Sequence, residues 1–411
     1  EETKFMKKIF SILLCTFFIA TSCTSAPKTK KQAVPKFDKT EAVKDNGSKK
    51  MNGMTGLEIV KNMRAGWNLG NSLDATGNGM GSETSWGQPK TTKEMIDALA
   101  KSGIKTIRIP VSWHNHKIDQ SYTIDSRWMA RVKEIVDWAI EADMYVILNT
   151  HHDNFSRNTI MPYGYGYYPT EMNKEESLFF LKNTWEQICL AFNNGYDEHL
   201  IFETLNEPRL VGTNSEWNYS SSNSEQKAAQ LIINEFNQEI VNVIRKSGGN
   251  NSKRLIMVPG YACTPASPLS NDFVIPKDPA KNVGVTVHMY SPYNFAMDGN
   301  GTKTYNPKMA TELQSTLKAL YNKFSTQGIP FYVGEYGAVN KENLEDRVQY
   351  FSAFNKLARK FGTVLILWDN QAVEKDSNGY TEKFGYYNRK TQEWFFPEIL
   401  DAIIDATTPR S

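Results

Sequence analysis

Eight short apolar runs, each too hydrophobic to leave a face in water, alternate along the chain with amphipathic stretches. The runs are 65–69, 106–109, 145–149, 200–205, 255–258, 283–288, 331–334 and 363–367. The helix-like stretches are 92–102, 127–142, 174–193, 225–246, 308–326 and 344–360, with a last one at 397–406. Strands this apolar read as parallel and covered on both faces, which alternation with helices provides. Eight such units close most economically into a single α/β domain, a (β/α)8 TIM barrel over residues 56–406. No helix is legible after the fifth run, so a short or irregular one is expected there. Segments that follow strands are long and rich in Gly, Asn, Tyr and Trp. Those that precede strands are short, as at Ser102-Gly103. That asymmetry predicts working loops at one mouth, the C-terminal ends of the strands.

The N-terminus has a different character. Met6-Lys7-Lys8 and the apolar run 9–20 read as an export signal, too short for a permanent membrane span. Its end, Ala20-Thr21-Ser22-Cys23, resembles a bacterial lipobox, which makes Cys23 the candidate lipidation site and 1–23 the leader. Residues 24–55 are Lys, Thr, Ser, Pro and Asn with few large apolars, the composition of a disordered tether, and 407–411 form a short tail. The expectation is an exported protein, held on the outer surface of the cell envelope by lipid or else secreted, and monomeric. A formal net charge of +2 provides no field for nucleic acid, and a lipid anchor is the only membrane contact implied. Cys15, Cys23, Cys189 and Cys263 form no CxxC pair and no zinc pattern, so neither a disulfide framework nor a structural metal is implied.

Polar residues gather where the apolar runs end. The fourth run breaks off in Asn206-Glu207-Pro208, and the proline cannot continue a strand ladder. The seventh leads to Gly334-Glu335-Tyr336-Gly337. Two glutamates on rigid strand tips are what a double-displacement glycosidase needs. Asn68 and Asn71, Arg108, His151-His152, His288 and Tyr290, and Trp368 stand at the ends of other runs. A His151-His152-Asp153 metal site lacks a third correctly spaced ligand.

These motifs resemble glycoside hydrolase family 5. The matching stretches are Gly66-Trp67-Asn68-Leu69-Gly70-Asn71, Ile107-Arg108-Ile109-Pro110-Val111, Thr150-His151-His152-Asp153, Leu205-Asn206-Glu207-Pro208-Arg209, Val287-His288-Met289-Tyr290 and Gly334-Glu335-Tyr336-Gly337. The resemblance spans 56–406 and lies nearest to the bacterial endo-β-1,4-glucanases and xyloglucanases, through 66–75 and Trp368-Asp369-Asn370. It implies a cofactor-free retaining endo-β-1,4-glucanase acting on cellulose-like or mixed-linkage β-glucan. Xyloglucanase, β-mannanase and a non-catalytic glycan-binding lipoprotein are the alternatives. Glu207 is then the acid that becomes the base, its pKa raised by burial and by the charge of Glu335. Glu335 is the nucleophile, held ionised by Arg108 and hydrogen-bonded by Tyr290. Asn206 is expected on the sugar 2-hydroxyl, His288 orients a carboxylate or substrate, and His151 and His152 line the site. Trp368 is the expected sugar platform, with Asn71 and the loop aromatics Trp86 and Tyr163 as further substrate contacts.

Overall fold

The computed structural model describes residues 42–77, 81–155, 166–374 and 382–408. The strands β1 (Ala65–Asn68), β2 (Thr106–Ile109), β3 (Tyr145–Asn149), β4 (Leu200–Glu203), β5 (Ile256–Pro259), β6 (Val283–His288), β7 (Phe331–Tyr336) and β8 (Leu365–Leu367) pair in parallel and in chain order. Ala65 opposite Leu365 and Trp67 opposite Leu367 close the sheet on itself. All eight are buried throughout, which is why they read as unbroken apolar runs rather than as alternating ones. Around them run α2 (Lys93–Lys101), α3 (Ser126–Glu141), α4 (Lys174–Ala191), α5 (Ser224–Lys246), α8 (Pro307–Lys323), α9 (Leu344–Lys360) and α10 (Pro397–Thr407). Their starts follow local chemistry. Asn223 accepts from the N–H groups of Glu225 and Gln226 ahead of α5, and Asn306 precedes the Pro307 that opens α8.

The connection after β5 is a single turn, α6 (Ala266–Leu269), as expected of a stretch carrying Pro265 and Pro268. The fourth strand stops at Glu203 and the seventh runs on through Glu335 to Tyr336, so one catalytic candidate follows a strand and the other lies within one. A further turn, α7 (Tyr293–Ala296), follows β6, and a small antiparallel pair, β9 (Tyr387–Asn388) with β10 (Glu393–Trp394), follows β8.

One helix, α1 (Gly56–Met63), was not foreseen. Thr55 and Glu58 form a reciprocal capping box at its start. Ile59, Val60 and Met63 then pack on Ile147, Ile201, Met257 and Ile366, plugging the barrel at the end where the strands begin.

The stretch 42–55 also departs from the expected tether, because it is fastened to the barrel. Asp45 N–H donates to the Leu190 carbonyl at 2.7 Å, and Asp45 Oδ2 accepts from the N–H groups of Asn193 (2.8 Å) and Gly195 (2.6 Å). Glu198 accepts from Gly53 N–H at 2.6 Å and from Asn52 at 3.2 Å. Composition misleads here because most of the attachment is made by carboxylates capping backbone amides, with only Val43 and Met54 packing on the apolar core. Cys23, the leader and the tether before residue 42 lie outside the described residues, as do 409–411 of the tail. Among the described residues no helix is long and apolar enough to cross a membrane.

Replacing Asp45 with Ala removes three backbone-to-carboxylate bonds, from Gly47, Asn193 and Gly195, and is expected to cost about 1–2 kcal/mol, lowering Tm by roughly 2–4 °C with turnover unchanged. Calorimetry checks this; an unchanged Tm would mean that the strap adds nothing to stability.

Candidate active site

A guanidinium sits at the centre of the barrel mouth. Arg108, wholly buried on β2, donates from Nη1 to Glu335 Oε1 at 2.8 Å and to Asn68 Oδ1 at 2.9 Å. Its other edge meets Glu203, Nε at 3.0 Å and Nη2 at 2.6 Å from Oε1, while Nη2 also reaches Asn206 Oδ1 at 2.7 Å. Charge-assisted bonds from a rigid fork fix all four partners relative to one another.

Glu335 receives a further bond on Oε2 from the Tyr290 hydroxyl at 2.9 Å. His288 lies between the two glutamates, Nδ1 being 2.8 Å from Glu207 Oε1 and 3.5 Å from Glu335 Oε2. A register shift after Val287 sets His288 directly opposite Glu335 on the neighbouring strand, the kind of irregularity that re-aims a side chain. Gly334 gives the imidazole room, since a Cβ there would stand 3.3 Å from its Nε2 and 2.8 Å from Thr286 Oγ1. One carboxylate oxygen of Glu207 lies within 4.8 Å of one of Glu335.

A row of flat rings runs away from this pair. The Trp368 indole rests on the backbone of Gly70, where a Cβ would come 3.0 Å from its ring carbons. His151 lies parallel to it at 6.0 Å, His152 meets His151 edge-on at 4.4 Å, and Trp86 lies 5.5 Å from His152. Asp369, wholly buried next to Trp368, ties β1 to β9 by accepting from Trp67 Nε1 (2.9 Å) and from the N–H of Tyr387 (2.8 Å).

The family described as Cellulase (glycosyl hydrolase family 5) matches residues 73–374. The chain belongs to glycosyl hydrolase family 5. Endoglucanase B of Ruminococcus albus is 43% identical to this family 5 enzyme over 346 residues, 84% of this chain and 79% of that one. A mutant of the family 5 lichenase from Caldicellulosiruptor sp. F32, solved with cellotetraose, superposes with a TM-score of 0.80 at 39% identity, covering 91% of this chain and 99% of that one. A broad-specificity endoglucanase from Ruminococcus champanellensis with bound cellotriose gives 0.78 at 41% identity, covering 87% of this chain and 100% of that one.

Among the residues of this family 5 enzyme picked out from sequence, Glu207, Glu335, Arg108, Asn206, His288 and Tyr290 form one bonded cluster. His151, His152, Trp368 and Trp86 form the adjoining row of rings. Asn71, in the left-handed conformation at φ 58°, donates its N–H to the buried Asp74 at 3.1 Å, so its backbone shapes the turn after β1. Tyr163 lies outside the described residues.

Three supporting residues were missed. Glu203 is the bidentate partner of Arg108. Asn149 donates to both Glu203 Oε1 (2.9 Å) and His151 Nδ1 (3.2 Å). Arg209 bonds the Glu207 carbonyl at 3.0 Å, stands 3.6 Å from Glu207 Oε2, and stacks at 4.0 Å on Trp217, an indole left 47% exposed. Glu203 did leave a signal in the sequence, since an acid inside the run Leu200-Ile201-Phe202-Glu203 must have a buried cation as partner.

Among the described residues two groups bring three ligand-type atoms within 4.8 Å, one of them Asp74 with His151 and His152 and the other Glu207 with His288 and Glu335. In the first, the Asn149 amide donates to His151 Nδ1 and leaves the proton on Nε2, so that imidazole offers no lone pair to a cation. Asp153, once considered with these histidines, accepts on Oδ1 from the N–H groups of Trp113 and His114.

Electrostatics correct one expectation. Burial pushes the Glu207 carboxyl up, but the His288 bond and charge, with Arg209, outweigh it and bring it down to about 2. Burial and the charge of Glu207 push Glu335 up against the pull of His288 and Arg108. Burial disfavours an imidazolium at His288, yet Cys263, Glu335 and Glu207 together hold it well above its ordinary range. The proton expected on Glu207 from sequence is therefore shared with His288, 2.8 Å away, and the two side chains hold it as a pair. Desolvation keeps His151 neutral, and with Arg209 it lowers His152 to about 4.

This arrangement predicts a displaced basic limb. The Glu207–His288 pair releases its proton only above the ordinary imidazole range, so kcat/KM should persist into alkaline pH. In His288→Gln the carboxyl stands alone, and the basic limb should fall by more than about one pH unit. A pH–rate series checks this, and an unmoved limb contradicts the shared proton.

Proposed function

We propose that this endo-β-glucanase hydrolyses internal β-1,4-glucosidic bonds of cellulose-like or mixed-linkage β-glucan by double displacement, with retention of configuration. The observation that carries the proposal is the separation of Glu207 and Glu335, within 4.8 Å at their nearest oxygens. Retention needs carboxyl groups roughly 5–5.5 Å apart, whereas inversion needs room for a water between them.

Glu335 attacks the anomeric carbon and becomes a glycosyl ester. The departing oxygen takes, through the Glu207 carboxyl, the one proton that Glu207 and His288 share across 2.8 Å. Negative charge leaves Glu335, and the pair is left with His288 neutral and Glu207 as carboxylate, 3.6 Å from Arg209. Glu207 as carboxylate draws a proton from the incoming water, and the hydroxyl releases the sugar from Glu335. With its Oδ1 on Arg108, Asn206 has its amide N–H groups to offer the sugar 2-hydroxyl. Trp368 and the rings beyond it give apolar faces for the C–H sides of successive glucosyl units. The relatives solved with cellotetraose and cellotriose support a β-1,4-linked glucan as the polymer.

Glu207→Gln should lower kcat on polysaccharide by about 10²–10⁴-fold, and Glu335→Gln should abolish turnover. With an activated aryl cellobioside, azide should rescue Glu335→Ala to the inverted glycosyl azide and Glu207→Ala to the retained one. The opposite pairing would exchange the two roles.

The leader-like residues 6–20 and the sequence around Cys23 support export and attachment to the cell envelope through lipid at Cys23. Metabolic labelling with a radioactive fatty acid should mark the wild-type protein and not Cys23→Ala. Label in neither would leave a secreted enzyme.

A further inference from the structure

Glu203 has no route to substrate. It is wholly buried on β4 and receives donors from every side: Arg108 at 2.6 and 3.0 Å and Asn149 at 2.9 Å on Oε1, then Thr286 at 3.1 Å and Tyr332 at 2.7 Å on Oε2. A carboxylate so supplied stays ionised, and its partner guanidinium is the one that holds Glu335. Arg108 thus carries one positive charge between two carboxylates.

On the double-displacement reading, on which this inference rests, Glu335 loses its charge when the glycosyl ester forms. Arg108 alone would then be a buried cation without a partner, an arrangement that burial strongly disfavours. We propose that Glu203 is the permanent counter-ion of Arg108, a positioning residue that keeps the guanidinium neutralised through both half-reactions. Because Glu203 claims one edge of the fork, Arg108 aligns Glu335 by a hydrogen bond without binding it as its sole ion pair, and the nucleophile keeps its basicity.

The groups that face Glu335 are Arg108 from β2, Glu207 from the β4 tip, His288 from β6 and Tyr290 just beyond it. Those that face Glu203 are Arg108, Asn149, Thr286 and Tyr332, with the charge of His288 and the thiol of Cys263 nearby. Neutralising Glu203 leaves the full charge of Arg108 on Glu335, and an unopposed cation at this distance lowers a carboxyl pKa by about 1–3 units. The acid limb of kcat/KM, which follows Glu335, should therefore move to lower pH.

The experiment compares wild type, Glu203→Gln and Glu203→Asp on an aryl cellobioside across pH, together with inactivation by a 2-deoxy-2-fluoro-cellobioside. In Glu203→Gln the acid limb should drop by about one unit or more and inactivation should slow by about 10²-fold. Glu203→Asp, which keeps the charge, should restore the wild-type limb. An acid limb at the wild-type position in Glu203→Gln, or one displaced alike in both variants, overturns the proposal. If Glu203→Gln does not fold, Tyr332→Phe carries the test. Losing that donor throws Glu203 harder onto Arg108 and should raise the acid limb, and an unmoved limb overturns the proposal. Wild-type protein that takes no label on Glu335 would instead overturn the double-displacement reading itself, so the two failures are distinct.

Discussion

The buried guanidinium of Arg108 is the contact on which the rest of the site depends. Among the described residues it is the only group that bonds Glu203, Glu335, Asn206 and Asn68 together, and these come from three strands and their tips, β1, β4 and β7. A barrel delivers side chains to its mouth but does not by itself fix their mutual angles. The planar fork supplies that constraint, because its N–H vectors are set by covalent geometry. Desolvation works against a charge so deep, and the carboxylates of Glu203 and Glu335 more than offset it, holding Arg108 far above its usual range.

The same contact organises charge during turnover. The two glutamates and His288 share few protons in a largely buried cluster, so ionisation belongs to the cluster rather than to single residues. In the first step negative charge leaves Glu335 while the Glu207–His288 pair gives up its one shared proton. Two arginines are placed for the two stations, Arg108 beside the nucleophile and Arg209 beside the acid. The net charge of the centre is then the same before and after the covalent step. A preorganised site of this kind needs little rearrangement as the reaction proceeds.

Much of this was legible in the chain. The eight apolar runs gave the barrel because strands covered on both faces leave no polar interruption, and Asn206-Glu207 and Glu335 stood out as polar groups at their ends. Glu203 escaped notice although its sequence signal was present, because a buried acid announces a partner without naming it. The plug helix α1 is only eight residues long, and its signals, the cap Thr55 with Glu58 and the apolar Ile59, Val60 and Met63, fit in two turns. The docking of 42–55 through Asp45 and Glu198 depends on backbone amides, which composition does not register. The position of the shared proton follows from one distance, Nδ1 of His288 to Glu207, and no spacing in the sequence encodes it.

The account stands or falls on whether Glu207 and Glu335 act across one bond with a covalent intermediate between two inversions. Proton NMR of cellotetraose hydrolysis, recorded before mutarotation of the products, reads this directly. The account predicts that the β-anomer of the new reducing end appears first and the α-anomer grows in later. An α-anomer that appears first would show single displacement by water and would contradict the mechanism.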